Sequence, residues 1–276
     1  MQSLDETPVL QRIAAACWRE EGVRSPTHMG GLAWSLNQHL DKLDEVTVWI
    51  WDEAAYAADY NAVERVPVIV ASRRPELVDE VLDRLGGDGV LVPDHDSVTG
   101  AALERRGFAL DPRPCSRLHA RGLHALPAPE LPDGFRVRGF EPGDLEGRVA
   151  AHRSAFHPSR VVPETYAQVQ ALASYRPELD VVVEAPDGRI AAYCLAWLDE
   201  ENRAGELEPV GTHGDFRRLG LARAACTEAL RRLHAAGADV CVVGSVPDGP
   251  AQALYASVGF APVMDWVLWK TGMSDP

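Results

Sequence analysis

The hydrophobic pattern is most regular in the second half of the chain. From Leu221 apolar residues recur at helical spacing and stop at Gly237, which predicts a helix with a glycine after its last turn. The pattern then predicts a buried strand over 238–246, a short helix over 251–259 and a closing strand over 260–271. Further upstream, two β-rich runs flank a Pro-Asp-Gly turn at 186–188 and a short strand follows over 206–212. Three antiparallel strands are therefore expected before the long helix.

A proline-rich polar segment, 123–134, separates this half from the first, because prolines at this density stop both helices and strands. After it the pattern predicts a strand over 135–140 and a capped helix over 141–156. We therefore predict two domains, 1–124 and 134–276, joined by a linker at 125–133. The predicted order in the second domain is β, α, β, β, β, α, β, α, β.

The first half carries a weaker version of the same ending. A strand is predicted over 66–71, a helix over 74–87, a strand over 89–93 and a helix over 99–108 that ends in Gly-Phe. Gly86 and Gly107 are 21 positions apart, and Gly237 and Gly259 are 22 apart. We therefore hypothesise that the two halves contain tandem, related copies of one structural unit. The alternative is that any βαβα segment gives this pattern.

Composition limits the classes of partner. The 276 residues are 46% hydrophobic, enough for one large core or two smaller ones, and the formal charge of −14 argues against nucleic acid or an anionic membrane as a partner. A cationic partner fits the charge, although an acidic surface also serves solubility alone. The start of the chain does not resemble a signal peptide, no apolar run is long enough to span a membrane, and the five cysteines have no metal-binding spacing. We expect a cytoplasmic protein without a metal, whose oligomeric state stays open.

One stretch, THGDFRRLGLARAA at 212–225, indicates a binding site for an anion. It joins a strand to the long helix, so the free amides of the first helical turn are turned outward, with the positive end of the helix dipole behind them. Gly220 and Ala222 leave room for a ligand to approach the amides, and Arg217 and Arg218 add charged donors. The stretch matches neither the G-x-x-x-x-G-K-[ST] loop nor the G-x-G-x-x-G loop.

The segment Arg217-Arg218-Leu219-Gly220-Leu221-Ala222 instead resembles the [RQ]-x-x-G-x-[GA] motif of the GNAT superfamily of N-acetyltransferases. The strand before it, the helix and buried strand after it, and the L-Y-x-x-x-G-F pattern around Tyr255 follow that family's order over about 134–271. The resemblance implies an α+β (α/β) fold of two tandem GNAT-like domains, each a mixed, mostly antiparallel sheet flanked by helices. It also implies acetyl-coenzyme A as co-substrate, with its pyrophosphate on this loop.

The resemblance assigns roles to further residues. A glutamate on the strand 206–212 is the usual base in the family, and we prefer Glu208, which is closer to the expected gap between strands, with Glu206 second. The alternative is that both glutamates only keep an exposed strand face soluble. Tyr255 occupies the place of the family's proton donor to the departing sulfur; the alternative is a core aromatic residue with its hydroxyl at the surface.

Three other features bear on the cofactor. Backbone groups of Val210, Gly211 and Thr212 are expected to pair with the pantetheine amides as an added strand would. Many relatives carry an asparagine before the last helix, where this chain has Asp248 or Gly249, so Asp248 is the candidate contact there. An ordinary surface role is expected for His213.

The first half lacks the corresponding residues. It runs from its strand through Ser72-Arg73-Arg74 into Pro75 without a glycine, and Leu103 stands where Tyr255 does. This half is therefore predicted to be a degenerate GNAT-like domain that is structural or forms a wall of the acceptor site. The leading hypothesis is an N-acetyltransferase acting on a primary amine of a small molecule or an amino terminus, possibly cationic, by direct attack in a ternary complex. The alternative is a catalytically silent sensor or partner-binding protein that binds coenzyme A.

Overall fold

One mixed sheet runs through the whole of the described structure. The computed structural model describes residues 7–38, 46–51, 55–60, 67–70, 75–85 and 88–271. The strands in these ranges are β1 (Val46–Trp51), β2 (Ala55–Tyr60), β3 (Pro67–Val70), β4 (Gly89–Pro93), β5 (Ala109–Gly122), β6 (Arg136–Gly139), β7 (Asp180–Glu184), β8 (Ile190–Asp199), β9 (Ala204–Thr212), β10 (Val240–Ser245) and β11 (Ala261–Lys270). The helices are α1 (Thr7–Glu21), α2 (Met29–Asn37), α3 (Val78–Leu85), α4 (Ser97–Arg105), α5 (Leu145–Ala155), α6 (Pro163–Gln170), α7 (Leu221–Ala235) and α8 (Pro250–Ser257).

The two halves of the chain exchange strands at the centre of this sheet. The strand order is β1-β2-β3-β4-β11-β5-β10-β9-β8-β7-β6. The last strand, β11, pairs with β4 and β5 of the first half, whereas β5 pairs with β10 of the second half, all antiparallel. The parallel pairs β3–β4 and β9–β10 lie symmetrically on either side. This order agrees with the predicted tandem arrangement. The proposed boundaries at 124 and 134 separate the halves in sequence, but the exchanged strands cross that division in space.

The predicted elements of the second half are confirmed. β7, β8 and β9 form the three antiparallel strands, α7 is the long helix, and β10, α8 and β11 follow in the expected order. α6 is an additional helix that the pattern did not indicate. In the first half β4 and α4 are confirmed, and β3 and α3 lie within the predicted strand and helix; 66, 71–74 and 86–87 lie outside the described residues.

The pattern gave no indication of β5, the longest of the described strands. It contains Pro112 and Pro114, and proline within a central strand removes a ladder hydrogen bond. The pairing with β11 accommodates these residues because its register shifts between Trp266 and Val267 and again between Val267 and Leu268. The second shift leaves Pro112 out of the ladder, and Pro114 lies opposite Val267 between the two shifts, where the pairing is already irregular.

Strand β8 lies at the centre of the packing and is buried along its whole length. On one face Cys194 and Ala196 belong to a core cluster with residues of α7. On the other face Leu195 and Trp197 pack with Trp34 of α2. Helices therefore cover both faces of this part of the sheet, and one of them comes from the first half of the chain.

Helix α2 approaches the sheet closely because it begins with two glycines. A Cβ atom on Gly30 would overlap the Cβ atom of Trp197, and one on Gly31 would lie 3.0 Å from the carboxylate oxygens of Glu206. A side chain at either position would hold the helix away from β8 and β9. The glycines thus join the first half to the face of the sheet that carries the candidate base.

We expect Gly30→Ala to lower the free energy of unfolding by about 2 kcal/mol, because the added methyl group must displace Trp197 or the helix from a close-packed interface. The measurement is denaturant unfolding followed by circular dichroism. Gly143→Ala is the matched control, since a Cβ atom there meets nothing within 4 Å. Equal stability of the two variants would contradict close docking of α2.

Candidate active site

Strands β9 and β10 separate partway along their length. Their parallel pairing ends at Glu206 and Val242, although β9 continues to Thr212. On its other side β9 stays paired with β8, with a register shift between Cys194 and Ala196 that leaves Glu208 in a bulge. Beyond Glu206 the backbone edge of β9 therefore faces a gap instead of β10. This is the arrangement in which an extended ligand can pair with the strand edge.

The start of α7 forms the predicted cradle for an anion. Gly220 is the N-cap, with φ of 78°, and no side chain caps the helix. The amide of Ala224 is bonded to the Gly220 carbonyl, so the three preceding amides are left without intrahelical partners. A Cβ atom on Gly220 would meet nothing within 4 Å. Arg217 and Arg218 are exposed, and neither forms an ion pair with another described residue.

A cavity of about 750 Å³ extends from this cradle to α8. Eight of the ten predicted cofactor-binding residues line it: Val210, Gly211, Thr212, Arg217, Arg218, Gly220, Leu221 and Ala222. Leu219 is exposed and Asp248 lies in the turn before α8, and neither is among the lining residues. Pro250, Ala251 and Leu254 form the wall at that end instead. Bare amides, unpaired guanidinium groups and a long cavity with a free strand edge fit a diphosphate with an amide-containing arm.

Glu208 lies at the bulge of β9. Its backbone carbonyl accepts a hydrogen bond from Trp197 Nε1 at 2.7 Å, which fixes the strand at this point. Burial, together with the neighbouring charge of Glu206, raises the pKa of its carboxyl to about 8. A carboxyl group with this pKa can accept a proton near neutral pH.

Glu206 is held differently, by the first half of the chain. Its carboxylate accepts a hydrogen bond from the Gly31 amide at the start of α2, and Oε2 lies 3.3 Å from His28 Nδ1. The positive end of the helix stabilises a negative charge here. The two candidate carboxylates therefore differ in environment, and the Glu206 carboxylate makes contacts between the two halves of the chain.

Tyr255 is buried and lines the large cavity. Burial raises the pKa of its hydroxyl well above the ordinary value, with contributions from Cys226 and Glu208. The hydroxyl therefore stays protonated at physiological pH. Tyr255 packs in the core cluster on the α7 side of the sheet, whereas Glu206 contacts α2 on the opposite side.

Comparison with known proteins identifies the family. Residues 148–260 match the acetyltransferase (GNAT) family model. This part of the chain is a GNAT acetyltransferase domain. The match spans the gap between strands, the anion cradle and Tyr255, so the resemblance drawn from the loop motif is confirmed at the level of the family.

Two curated relatives match part of the chain. It is 31% identical over 198 residues to a mycothiol acetyltransferase of Thermobispora bispora, covering 67% of this chain and 66% of that protein. It is 28% identical over 159 residues to a mycothiol acetyltransferase of Saccharomonospora viridis, covering 53% of this chain and 52% of that protein. The chain thus spans between half and two thirds of the length of these relatives.

Two solved structures share the fold over almost the whole chain. A GCN5-related N-acetyltransferase from Sphaerobacter thermophilus has a TM-score of 0.61 at 21% identity and covers 99% of this chain and 96% of its own. A tandem GNAT protein from the clavulanic acid biosynthesis pathway also has a TM-score of 0.61, at 14% identity, and covers 99% of this chain and 97% of its own. Both halves therefore belong to one tandem GNAT fold, which confirms the predicted fold class.

A second, smaller cavity of about 180 Å³ lies on the α2 side of the sheet, next to Glu206. The GNAT domain contributes Glu206, Val242 and Gly244, which follow the line along which β9 and β10 separate. The first half contributes the rest of the wall, namely Trp18, Ser25, Pro26, Thr27, His28, Gly31, Ser116, Arg117 and Leu118, with Trp266 of β11. Sequence reasoning missed these residues, because no motif surrounds them and only the exchange of strands brings them to the GNAT domain.

Tyr193 explains why β9 carries a glycine at position 211. A Cβ atom on Gly211 would overlap the Tyr193 hydroxyl, which is also hydrogen-bonded to His152 Nδ1 at 2.9 Å. The Arg148 guanidinium stacks on the Tyr193 ring, with Cζ 3.4 Å from the ring centroid. This buried group supports β9 from behind at the point where its backbone faces the cofactor cavity. The sequence gave no signal for it, because its members are far apart along the chain.

At one position the first half differs from the GNAT domain as the sequence predicts. Leu103, at the place matching Tyr255, is fully buried in an apolar cluster with Val78 and Val81 and supplies no proton donor. The sequence also predicts that the first half has no anion cradle at Ser72-Arg73-Arg74. This segment lies outside the described residues.

In the part of the chain that the structure describes, no group of three histidine, cysteine or carboxylate side chains is arranged to hold a metal ion. No described helix has the length and apolar character needed to cross a membrane.

We expect Gly220→Ala to weaken coenzyme A binding at least tenfold, because the methyl group would project into the cavity where the bare amides lie. Isothermal titration calorimetry measures this affinity. Gly237→Ala is the matched control: it lies just beyond the other end of α7, also has a left-handed φ (105°), and its Cβ atom would likewise meet nothing within 4 Å. Both variants should lose stability, but only the first should lose affinity. Equal affinities would contradict the assignment of the cradle.

Proposed function

We propose that this protein transfers an acetyl group from acetyl-coenzyme A to a primary amine of a small molecule or an amino terminus, by direct attack in a ternary complex. One observation carries the proposal. A cavity that begins at bare helix amides reaches the buried Tyr255, and Glu208, whose pKa is raised to about 8, lies on β9 just beyond the point where that strand leaves β10. Membership of the GNAT family supports the reaction class.

The co-substrate is held by residues of the GNAT domain. The amides at the start of α7, with Arg217 and Arg218, would bind the diphosphate, and the backbone edge of Val210–Thr212 would pair with the pantetheine amides. Bound acetyl-coenzyme A supplies an activated thioester. Because these contacts use backbone groups and charge, they would hold the pantetheine arm without contributing to recognition of the acceptor amine.

Glu208 is proposed as the general base. An amine is mostly protonated at neutral pH and must lose a proton to attack a thioester. Burial and the Glu206 charge keep the Glu208 carboxyl partly protonated, so the carboxylate form that is present has a high affinity for the proton that it receives. The neighbouring charge comes from Glu206, whose carboxylate accepts a hydrogen bond from the Gly31 amide.

Tyr255 is proposed as the general acid. Its hydroxyl is protonated because burial disfavours the phenolate, and the residue lines the cavity on the α7 side of the gap. It would donate its proton to the sulfur as the thiolate departs. Base and acid then act from opposite sides of the separated strands.

The smaller cavity beside Glu206 is proposed to take the acceptor, because it is on the far side of the gap from Tyr255 and is walled mainly by the first half of the chain. An acidic chain with a carboxylate at this cavity favours a cationic acceptor. Since two relatives are named mycothiol acetyltransferases, the acceptors to be tested should include the deacetylated form of mycothiol.

The decisive experiment is thiol release from acetyl-coenzyme A across a panel of amines. We expect Glu208→Gln and Tyr255→Phe each to reduce kcat at least tenfold, because each removes one proton-transfer group while keeping its shape. Coenzyme A affinity, measured by calorimetry, should change less than threefold in both. Tight binding of coenzyme A without turnover of any amine would instead favour the alternative function, a catalytically silent sensor that binds coenzyme A.

The pH dependence gives a separate test of Glu208. The base works as the carboxylate, so activity should rise with pH through an apparent pKa of about 8, with about a tenth of the maximum at pH 7. A weakly basic amine should be used as acceptor, so that its own ionisation does not contribute. Glu206→Gln should move this apparent pKa downward, because it removes the neighbouring negative charge. A profile that stays the same in Glu208→Gln would exclude Glu208 as the titrating group.

A further inference from the structure

The orientation of Tyr255 is set by the packing of its ring. The hydroxyl forms no hydrogen bond with any residue that the structure describes, so the ring contacts alone hold the side chain. Two described rings lie against it. The Phe260 ring meets it edge-on, with centroids 6.0 Å apart, and the His119 ring is tilted by 57° at 6.1 Å, both within the range of aromatic contacts. Phe260 follows α8 in the GNAT domain, whereas His119 comes from the first half of the chain.

The exchange of strands brings His119 to this place. It lies on β5, opposite Val243 of β10 on one side and opposite Pro262 of β11 on the other. Residues directly opposite each other in an antiparallel pair point to the same face of the sheet. Val243 belongs to the core cluster that contains Tyr255, so the His119 side chain is on the Tyr255 side as well. Its backbone is held by strands of the GNAT domain on both sides.

The His119 ring is itself fixed. Its Nε2 lies 2.9 Å from Ser245 Oγ on β10, a hydrogen-bond distance, and the residue is buried. Burial lowers the pKa of the imidazole, and the charge of Arg117 lowers it as well, against a smaller opposing effect of Asp265. The ring is therefore neutral at physiological pH. It gives Tyr255 a flat surface of fixed orientation without placing beside the phenol a positive charge that would favour its ionisation.

We propose that His119 is a positioning residue whose ring holds the Tyr255 side chain in the orientation from which the hydroxyl donates its proton to the departing thiolate. This inference rests on the proposed function, because it takes Tyr255 as the general acid. His119 is not among the residues that line the large cavity, so its effect on the reaction passes through Tyr255. Orientation matters because a displacement of about 1 Å in a reacting group can reduce the rate about a hundredfold. The first half would thus act on the Tyr255 side of the sheet too.

The test is a double-mutant cycle, measured by thiol release with the amine that the wild-type protein acetylates fastest. His119→Leu should reduce kcat about tenfold and change the KM for acetyl-coenzyme A less than threefold, because the anion cradle and the strand edge are untouched. In Tyr255→Phe protein the same change should reduce kcat less than threefold, since the group that His119 positions then has no proton to donate. Equal reductions in the two backgrounds overturn the inference, because a general loss of structure acts with or without the Tyr255 hydroxyl.

Two further variants separate the ring from its hydrogen bond. His119→Phe keeps a flat ring and should stay within threefold of the wild-type kcat, whereas His119→Gln keeps a polar group for Ser245 but has no ring and should be as slow as His119→Leu. A purely structural role through Ser245 predicts the opposite order, and that order overturns the inference. Leu103→Ala is the control for lost stability, since Leu103 is buried in a different core cluster and its loss should leave kcat unchanged. Circular dichroism checks that each variant is folded.

A measurement that needs no turnover distinguishes failure of the proposed function. If the wild-type protein acetylates no amine, or if Tyr255→Phe leaves kcat unchanged, the acid role of Tyr255 fails, and NMR of protein with ¹³C-labelled tyrosine rings decides the role of His119. The Tyr255 signal is identified by its loss in Tyr255→Phe. Flipping of this ring that is at least tenfold faster in His119→Leu, but not in His119→Phe, supports a histidine that holds the tyrosine. An unchanged flip rate in His119→Leu overturns it.

Discussion

The parting of β9 from β10 after Glu206 and Val242 is the constraint on which the rest of this site depends. A sheet that stayed paired to its ends would fill the gap with its own hydrogen bonds and leave no strand edge for a ligand. The ladder between β8 and β9 shifts its register at Glu208, two residues beyond the last β9 residue that pairs with β10, and Tyr255 lines the cavity on the α7 side of the sheet. The free edge of β9 and the position of the candidate base both follow from these interrupted ladders.

The gap has two different sides because two halves of the chain cover them. On one side α7 and α8, both from the second half, enclose the cofactor cavity. On the other side the first half supplies most of the wall, through the connection from α1 to α2 and through β5. The exchange of β5 and β11 makes this arrangement rigid, since neither strand can leave without breaking pairs on both of its sides. The first half thus contributes most of the wall of a cavity that borders the GNAT domain.

The two glutamates of β9 differ in their electrostatic environment. Glu206 and Glu208 are two residues apart on one strand, yet one is stabilised as an anion by the first turn of α2 and the other has its pKa raised by burial and by that anion. The arginines of the loop before α7 add positive charge at one end of a chain surface that is acidic overall. The cavity at the start of α7 thus carries positive charge, whereas the smaller cavity on the α2 side carries the Glu206 carboxylate.

The sequence by itself determined the elements around the large cavity at the start of α7. Periodicity placed α7 and its neighbours, and the pattern around Gly220 and Tyr255 predicted the family, because helix-start amides and a cavity-facing tyrosine come from short, contiguous stretches. Eight of the ten predicted cofactor contacts line one cavity for the same reason, while Leu219 and Asp248 depend on the exact path of a loop.

Only the tertiary structure decided the smaller cavity beside Glu206. β5 was missed because its prolines resemble a break, and they are tolerated only where the register with β11 shifts. His28 and Tyr193 have no local signature, since His28 meets Glu206 from 178 positions away and Tyr193 meets its partner His152 from 41. Contacts of this kind arise from strand pairing and helix docking between distant segments, and no pattern along one segment records what will pack against it.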